Sequence, residues 1–569
     1  MLDVVIKGGE LVDGTGAARR RADVGIADGR VVEIGEINDG ARRTIDAEGR
    51  IVAPGFIDIH THYDVQGFWD PNLTPSPLHG VTSVVGGNCG FTVAPLNDES
   101  ASYLMRTLAK VEGIPLASLE AGVPWNWRTT AEFFDRLDGT LSINTGFLVG
   151  HTAMRRVVMG EDATRRTSTP EELEEMCALL RDGLRAGGMG FSTSRGSAHQ
   201  DANGDPVPSR HAAANEFVEL AAVCREFAGT SLEFIPSDYP FPDEDLDIAI
   251  SMSLAGQRPL NWNVLSTTAE SLETDLATLT SSDAAARRGA KIFGLAIPMD
   301  LRVLLSFATG YILDSFPGWA EVLSLPIPQR IVELRKPEVR QTLKANAKNT
   351  GQLAGIADWG IKMIAQITDP ELKRYERRQI SEIAAEEGKD DFDALLDIVC
   401  ADDLQTLFFT RPPNNSPADW EARARVWRDD RALIGGSDAG AHCDLTAQAQ
   451  YATTLLAGAV RDHQIFTLEE AVEQLTSRPA DLYGIRDRGR LTVGAHADVV
   501  IFDEERIASG PVENRADFPG GASRLVSDAI GVDEVLVNGT TIVAAGAFTE
   551  ARPGRLFRSG TDTYTPSLS

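Results

Sequence analysis

Cysteine is scarce in this chain: Cys89, Cys177, Cys224, Cys400 and Cys443 are all there is, and no two form a CxxC pair. That excludes a disulfide-stapled secreted scaffold and fits a reducing, cytoplasmic setting. Long apolar runs are missing as well. The opening MLDVVIKGGELVDGTG carries acidic residues at once, so neither a signal peptide nor a membrane span is expected and no membrane partner is implied. Positive charge is the third shortage, with 54 Lys plus Arg against 83 Asp plus Glu, a net −29 that repels a phosphate backbone and argues against a nucleic-acid partner. Low-complexity segments and internal repeats are absent too. Small molecules remain as partners, and self-association into a homo-oligomer stays open.

What is present is a globular composition, 43% hydrophobic and 24% charged over 569 residues, long enough for one large barrel with an accessory domain. Both ends alternate apolar and polar residues around turn signals, DGR at 28–30 and NG at 538–539, which predicts short antiparallel strands. Between them, eight apolar runs alternate with helical stretches: IVAPGFIDIHTH, GVTSVVGGNCG, INTGFLVGHT, GMGFSTSR, SLEFIPS, PLNWNVLS, AKIFGLAIPMD and ALIGGSDAGAH. Eight such units predict an α/β chain built on a (β/α)8 TIM barrel. The boundaries read as a small composite β-sandwich from 1–54 and 485–569 and a barrel over 55–484. A helical insertion at about 310–430, before the eighth strand, is expected to cap the barrel mouth.

Barrel enzymes carry their chemistry at the C-terminal ends of strands. His60 and His62 close the first run, and residues two apart on a strand share a side, so HTH presents two imidazoles together as half of a metal site.

The segment GFIDIHTHYD at 55–64 resembles the first strand of the metal-dependent amidohydrolase superfamily. GVTSVVGGNCGF (80–91), GMGFSTSR (188–195), GGSDAGAH (435–442) and SRPADLYGIRDRGRLTVGAHADVVIFD (477–503) are similar to its N-acyl-D-amino-acid deacylase (D-aminoacylase) branch. The resemblance implies a zinc site and hydrolysis of a linear amide C–N bond, by default in an N-acyl amino acid. It assigns Cys89 as a zinc ligand in place of a carboxylated lysine. Asp438 becomes both a metal contact and the general base and acid of the reaction. Metal ligands are thus expected at His60, His62, Cys89 and Asp438, with candidate substrate contacts at His151, Arg195, Asn263 and His442.

Two departures sharpen this reading. Relatives carry metal-binding histidines at the ends of strands 5 and 6, whereas no histidine lies between His211 and His442 here. One tightly bound zinc is therefore expected rather than two, with Glu233, Asn261 or Asn263 orienting substrate or supporting the site from behind, and Glu233 alternatively giving weak support to a second ion. The His-Pro-Arg segment that follows the strand-8 aspartate in relatives acting on N-acyl-D-amino acids is replaced by AHCDLTAQAQ, which leaves the substrate's acid group without its expected partner. Two rival readings follow: a hydantoinase-like hydrolase of cyclic amides or imides, and a catalytically silent relative acting as a binding protein.

Overall fold

Parallel strands covered on both faces need no polar alternation, and the apolar runs of the central region behave that way. The computed structural model describes residues 1–568 apart from 301–302, 309, 311, 348–355 and 412–414. In it these runs form β1 Phe56–Asp58, β2 Val81–Gly86, β3 Asn144–Phe147, β4 Gly190–Ser194, β5 Ser231–Ile235, β6 Leu260–Leu265, β7 Ile292–Ala296 and β8 Ala432–Ile434. β1, β2 and β3 pair in parallel in that order, as do β4 through β8. Val149–Gly150, just past β3, carries the series across to β4 through Val149 opposite Phe191. Beyond β8, Thr61 bridges Ala439 in parallel, and the Asp438 N–H donates to the His60 carbonyl at 3.0 Å. The far end of the last strand therefore meets the far end of the first.

Helices fill the intervals. Pro170–Arg185 begins with a capping box, Thr169 accepting the Glu172 N–H while the Glu172 carboxylate accepts the Thr169 N–H, and it buries Met176, Leu180 and Leu184. Ile57, Ile59, Val85, Leu148, Met189, Leu295 and Leu433, drawn from or next to six of the strands, form one buried cluster.

The chain ends build two further sheets. Leu2–Lys7, Asp23–Ala27, Arg30–Gly35 and Ala41–Asp46 make one. In the other, Ile51–Pro54 pairs antiparallel with Val499–Phe502, Pro54 opposite Val499, so residues far apart in sequence share a ladder. Val4, Ile6, Val24 and Ile26 from the first sheet cluster with Val52, Val499, Ile501 and Leu536 from the second. The DGR and NG signals both close two-residue hairpins, Ala27 opposite Arg30 and Val537 opposite Thr540.

Residues 300–415 with 443–446 form a separate compact unit. This insertion begins and ends earlier than the 310–430 expected from sequence, because Pro417–Trp427 is a helix of the main unit, its Trp427 indole donating to the Ile297 carbonyl at 3.3 Å. Its own core gathers Trp319, Trp359 and Phe392, with the two indoles stacked 5.6 Å apart. Among the described residues, no helix is long and apolar enough to cross a membrane.

Candidate active site

His60, His62 and Cys89 bring their ligand atoms within 4.8 Å of one another in a buried cluster. Cys89 Sγ stands 3.4 Å from His60 Nε2 and 3.6 Å from His62 Nε2, and Asp438 Oδ1 stands 3.5 Å and 3.2 Å from the same two nitrogens. Ligand atoms about 2.0–2.3 Å from a tetrahedral zinc lie roughly 3.3–3.8 Å apart, which the two Cys89–histidine spacings match, and Asp438 flanks both imidazoles beside the position a water would take. The electrostatics agree. Burial, and then the carboxylates of Glu233, Glu112, Asp438 and Asp64, push the Cys89 thiol well above its usual pKa, a conflict that a cation at the centre relieves.

The backbone is bent to make this convergence. Cys89, Asp438 and His442 all sit in the left-handed region, with φ of 57°, 61° and 47°, a conformation that non-glycine residues keep only when their surroundings hold it. The glycines of GGSDAG let the strand-8 loop approach β1. A Cβ on Gly436 would lie 2.9 Å from the His60 Cβ, and one on Gly440 2.7 Å from the His62 backbone. Asp58 anchors the same loop by accepting the Ser437 N–H at 3.1 Å together with the Ser437 hydroxyl, and burial raises its carboxyl to about 6.

Asp438 remains charged. Burial opposes its ionisation, but hydrogen bonds from His60 and His62 hold it well below the usual carboxylate range. His442 Nε2 lies 3.6 Å from its other oxygen. Glu233, on β5, reaches the cluster without entering it: Oε2 accepts the Cys89 N–H at 3.1 Å and Oε1 accepts from the Asn263 amide. Burial raises Glu233 to about 7.

His60, His62, Cys89 and Asp438 line a cavity of about 340 Å³ with Ser237, Asp238 and Tyr239 after β5, Val264 on β6, and Leu295 and Ile297 at the end of β7, and Glu233 lies behind that lining. Asn263 and His442 line it too; His151 and Arg195 do not. His151 is fully buried, with Nδ1 2.8 Å from Thr193 Oγ1 and Nε2 2.8 Å from Glu216, so both ring nitrogens are occupied away from the cavity. Arg195 pairs with Asp245 and Glu244. The strand-end rule selected both, but the His151 ring is held by local hydrogen bonds and Arg195 by local ion pairs. Asn261, the other strand-6 asparagine, accepts from the Tyr483 hydroxyl at 3.1 Å and is likewise off the lining.

Two lining residues carry no strand-end signal. Glu112 follows the helix Asp98–Val111, is 2% exposed, and places Oε1 3.4 Å from His62 Nδ1, beside that ring's second nitrogen. His199 stands in the loop after β4, five residues past Ser194, its ring edge-on to Phe91 at 5.1 Å. Burial, and then His442 and His62, press its pKa down to about 3, so it is neutral at ordinary pH. The SAH following GFSTSRG was its one visible trace.

Comparison with known proteins bears on this geometry. The amidohydrolase family profile matches residues 43–543. The N-acyl-D-glutamate deacylase of Alcaligenes xylosoxydans xylosoxydans is 30% identical, over 98% of this chain and 96% of its own. The crystal structure of N-acyl-D-glutamate deacylase from Bordetella bronchiseptica, complexed with zinc and a phosphonate mimic of the tetrahedral intermediate, is 26% identical. It superposes with a TM-score of 0.64 over 98% of this chain and 99% of that one. A D-hydantoinase of Ralstonia pickettii is 37% identical, but only over 20% of this chain.

Proposed function

The chain belongs to the amidohydrolase family, and from that premise we propose that it is a zinc-dependent hydrolase of linear amides, N-acyl amino acids by default. The observation that carries this reading is the buried cluster of His60, His62 and Cys89 on the cavity wall, with Asp438 within 3.5 Å of both imidazoles. The full-length likeness to a deacylase, against the short match to a hydantoinase, favours a linear over a cyclic amide. The same reading takes the eight-strand series as a (β/α)8 barrel and the paired terminal sheets as a sandwich, supported by the Thr61–Ala439 bridge and the shared apolar cluster.

His60, His62, Cys89 and Asp438 would hold one zinc ion, which when bound lowers the pKa of a water to about 7 and polarises the scissile carbonyl. Glu233 is committed to Cys89 and Asn263, which leaves it poorly placed to hold a second ion. Asp438, charged and at the cavity wall, accepts the proton of the attacking water and delivers it to the leaving nitrogen as the C–N bond breaks. The products are a carboxylate and a free amine. Glu112 flanks His62, and the apolar wall of Val264, Leu295 and Ile297 fits the acyl chain.

The test is a substrate panel run on zinc-loaded protein, N-acyl-D- and N-acyl-L-amino acids beside hydantoins and cyclic imides. Turnover confined to the linear amides is expected. Turnover confined to the cyclic compounds would replace this reading with the hydantoinase-like one, and no turnover by a zinc-replete protein would favour a silent binding protein.

A further inference from the structure

His199 belongs to neither the metal cluster nor its supporting carboxylates, yet its ring lines the same cavity and is held from several sides. Its N–H donates to the Gly196 carbonyl at 3.0 Å, and its carbonyl accepts from the Val207 N–H at 3.3 Å and the Arg210 guanidinium at 3.2 Å. Phe91 fixes the ring plane from the edge. The decisive contact is Ser194 at the end of β4, whose Oγ lies 2.7 Å from His199 Nδ1.

That hydroxyl is fully buried and already accepts the Gly196 N–H at 3.0 Å. Its own hydrogen needs an acceptor, and among the described residues His199 Nδ1 is the contact able to be one. If Nδ1 instead carried the proton, two donors would point at one oxygen and the hydroxyl hydrogen would be left buried without a partner, a costly arrangement. The proton of the neutral imidazole therefore sits on Nε2, the nitrogen that Ser194 leaves free.

We propose that His199 is a substrate-contacting residue whose Nε2–H donates a hydrogen bond to an oxygen of the bound amide, with Ser194 as the positioning residue that sets the tautomer. The acceptor is a carbonyl or carboxylate oxygen, since both present the lone pair this donor requires. The inference rests on the amide-hydrolase reading for its kinetics but not for its tautomer.

Two measurements test it separately. In nitrogen-15 histidine-labelled, zinc-loaded protein, the His199 signal, assigned by its loss in His199→Phe, should show Nε2 protonated and Nδ1 bare, and Ser194→Ala should abolish that preference. An Nδ1-protonated ring in the wild type overturns the proposal. In kinetics on the best N-acyl amino acid of the panel and its carboxamide, His199→Phe should lower kcat/KM roughly 10- to 100-fold, the worth of one hydrogen bond to a polar or charged oxygen. Zinc content and Tm should remain near wild type. Ser194→Ala should show a smaller loss, mainly in KM. A loss on both substrates identifies a carbonyl acceptor, and a loss on the free acid alone identifies the carboxylate. Rates within twofold of wild type on both, or zinc lost in parallel with activity, would overturn the proposal. If no amide is hydrolysed at all, the functional reading fails, and the tautomer measurement still decides the Ser194–His199 arrangement.

Discussion

Glu233 on β5 hydrogen-bonds the backbone of Cys89 and not its thiol: Oε2 accepts the Cys89 N–H at 3.1 Å, and Cys89 there keeps a left-handed φ of 57° that its own Cβ disfavours. The carboxylate thus acts on the metal cluster by shaping the turn that aims the thiol. Glu233→Ala should weaken zinc retention about 10- to 100-fold, as loss of a supporting partner commonly does, while Glu233→Gln, which keeps one acceptor oxygen, should lose less. Competition against a graded chelator measures both, and wild-type retention in the Ala variant would refute the positioning role.

Elemental analysis after exhaustive dialysis should find close to one zinc per chain. Cys89→Ala should lower zinc content and turnover together, because a thiolate is among the strongest zinc ligands. Two tightly held ions per chain would require a ligand beyond the four named, and a metal-replete, active Cys89→Ala enzyme would remove that residue from the site.

Asp438→Asn preserves shape and one oxygen but cannot take a proton at neutral pH. Its kcat should fall roughly 10²- to 10⁴-fold with a much smaller change in substrate binding. A kcat near wild type would pass the role of base to His442, whose Nε2 stands 3.6 Å from Asp438.

Stability should fall in mild acid on account of His79, which does not line the cavity. The ring is fully buried between Thr453 Oγ1 at 2.7 Å and the Ser527 carbonyl at 2.8 Å, and burial lowers its pKa to about 4. Above its unfolded value of about 6.5 the imidazole is neutral in both states and stability is complete. As pH falls from there towards 4, the unfolded chain takes up a proton that the folded chain refuses, so on the order of 3 kcal/mol is lost across the window. Urea unfolding at a series of pH values measures this, and His79→Gln should flatten the slope. An unchanged slope would assign the acid sensitivity to other groups.

The run FIDIHTH announced the paired imidazoles through its two-residue spacing, although β1 ends at Asp58 and the pair lies just past it, and the two-residue hairpins were visible because DG and NG have few other uses. Cys89 and Asp438 came from motif likeness alone. Glu112 was illegible, since it sits at the end of an ordinary amphipathic helix and only the tertiary fold brings it to His62. His151 and Arg195 erred the other way. They occupy strand-end positions, but rotamer and neighbours decide where a side chain points, and Glu216 and Asp245 claimed them. Glu233 was placed in the right region as a supporting or substrate-contacting group, but sequence spacing does not reveal that the donor it meets is the Cys89 backbone amide.

The ladder that sets Pro54 opposite Val499 has a consequence during synthesis. Ribosomes deliver roughly 5–20 residues per second, so Ile51–Pro54 leaves the exit tunnel on the order of 20–90 seconds before its antiparallel partner exists. Through that interval Val52 lacks the Val499 and Ile501 side chains that will cover it, and one edge of the strand stands bare. The nascent amino-terminal sheet is thus open to wrong pairing or chaperone capture, and synonymous changes that slow translation between Pro54 and Val499 should lower the yield of native protein more than the same changes placed after Phe502.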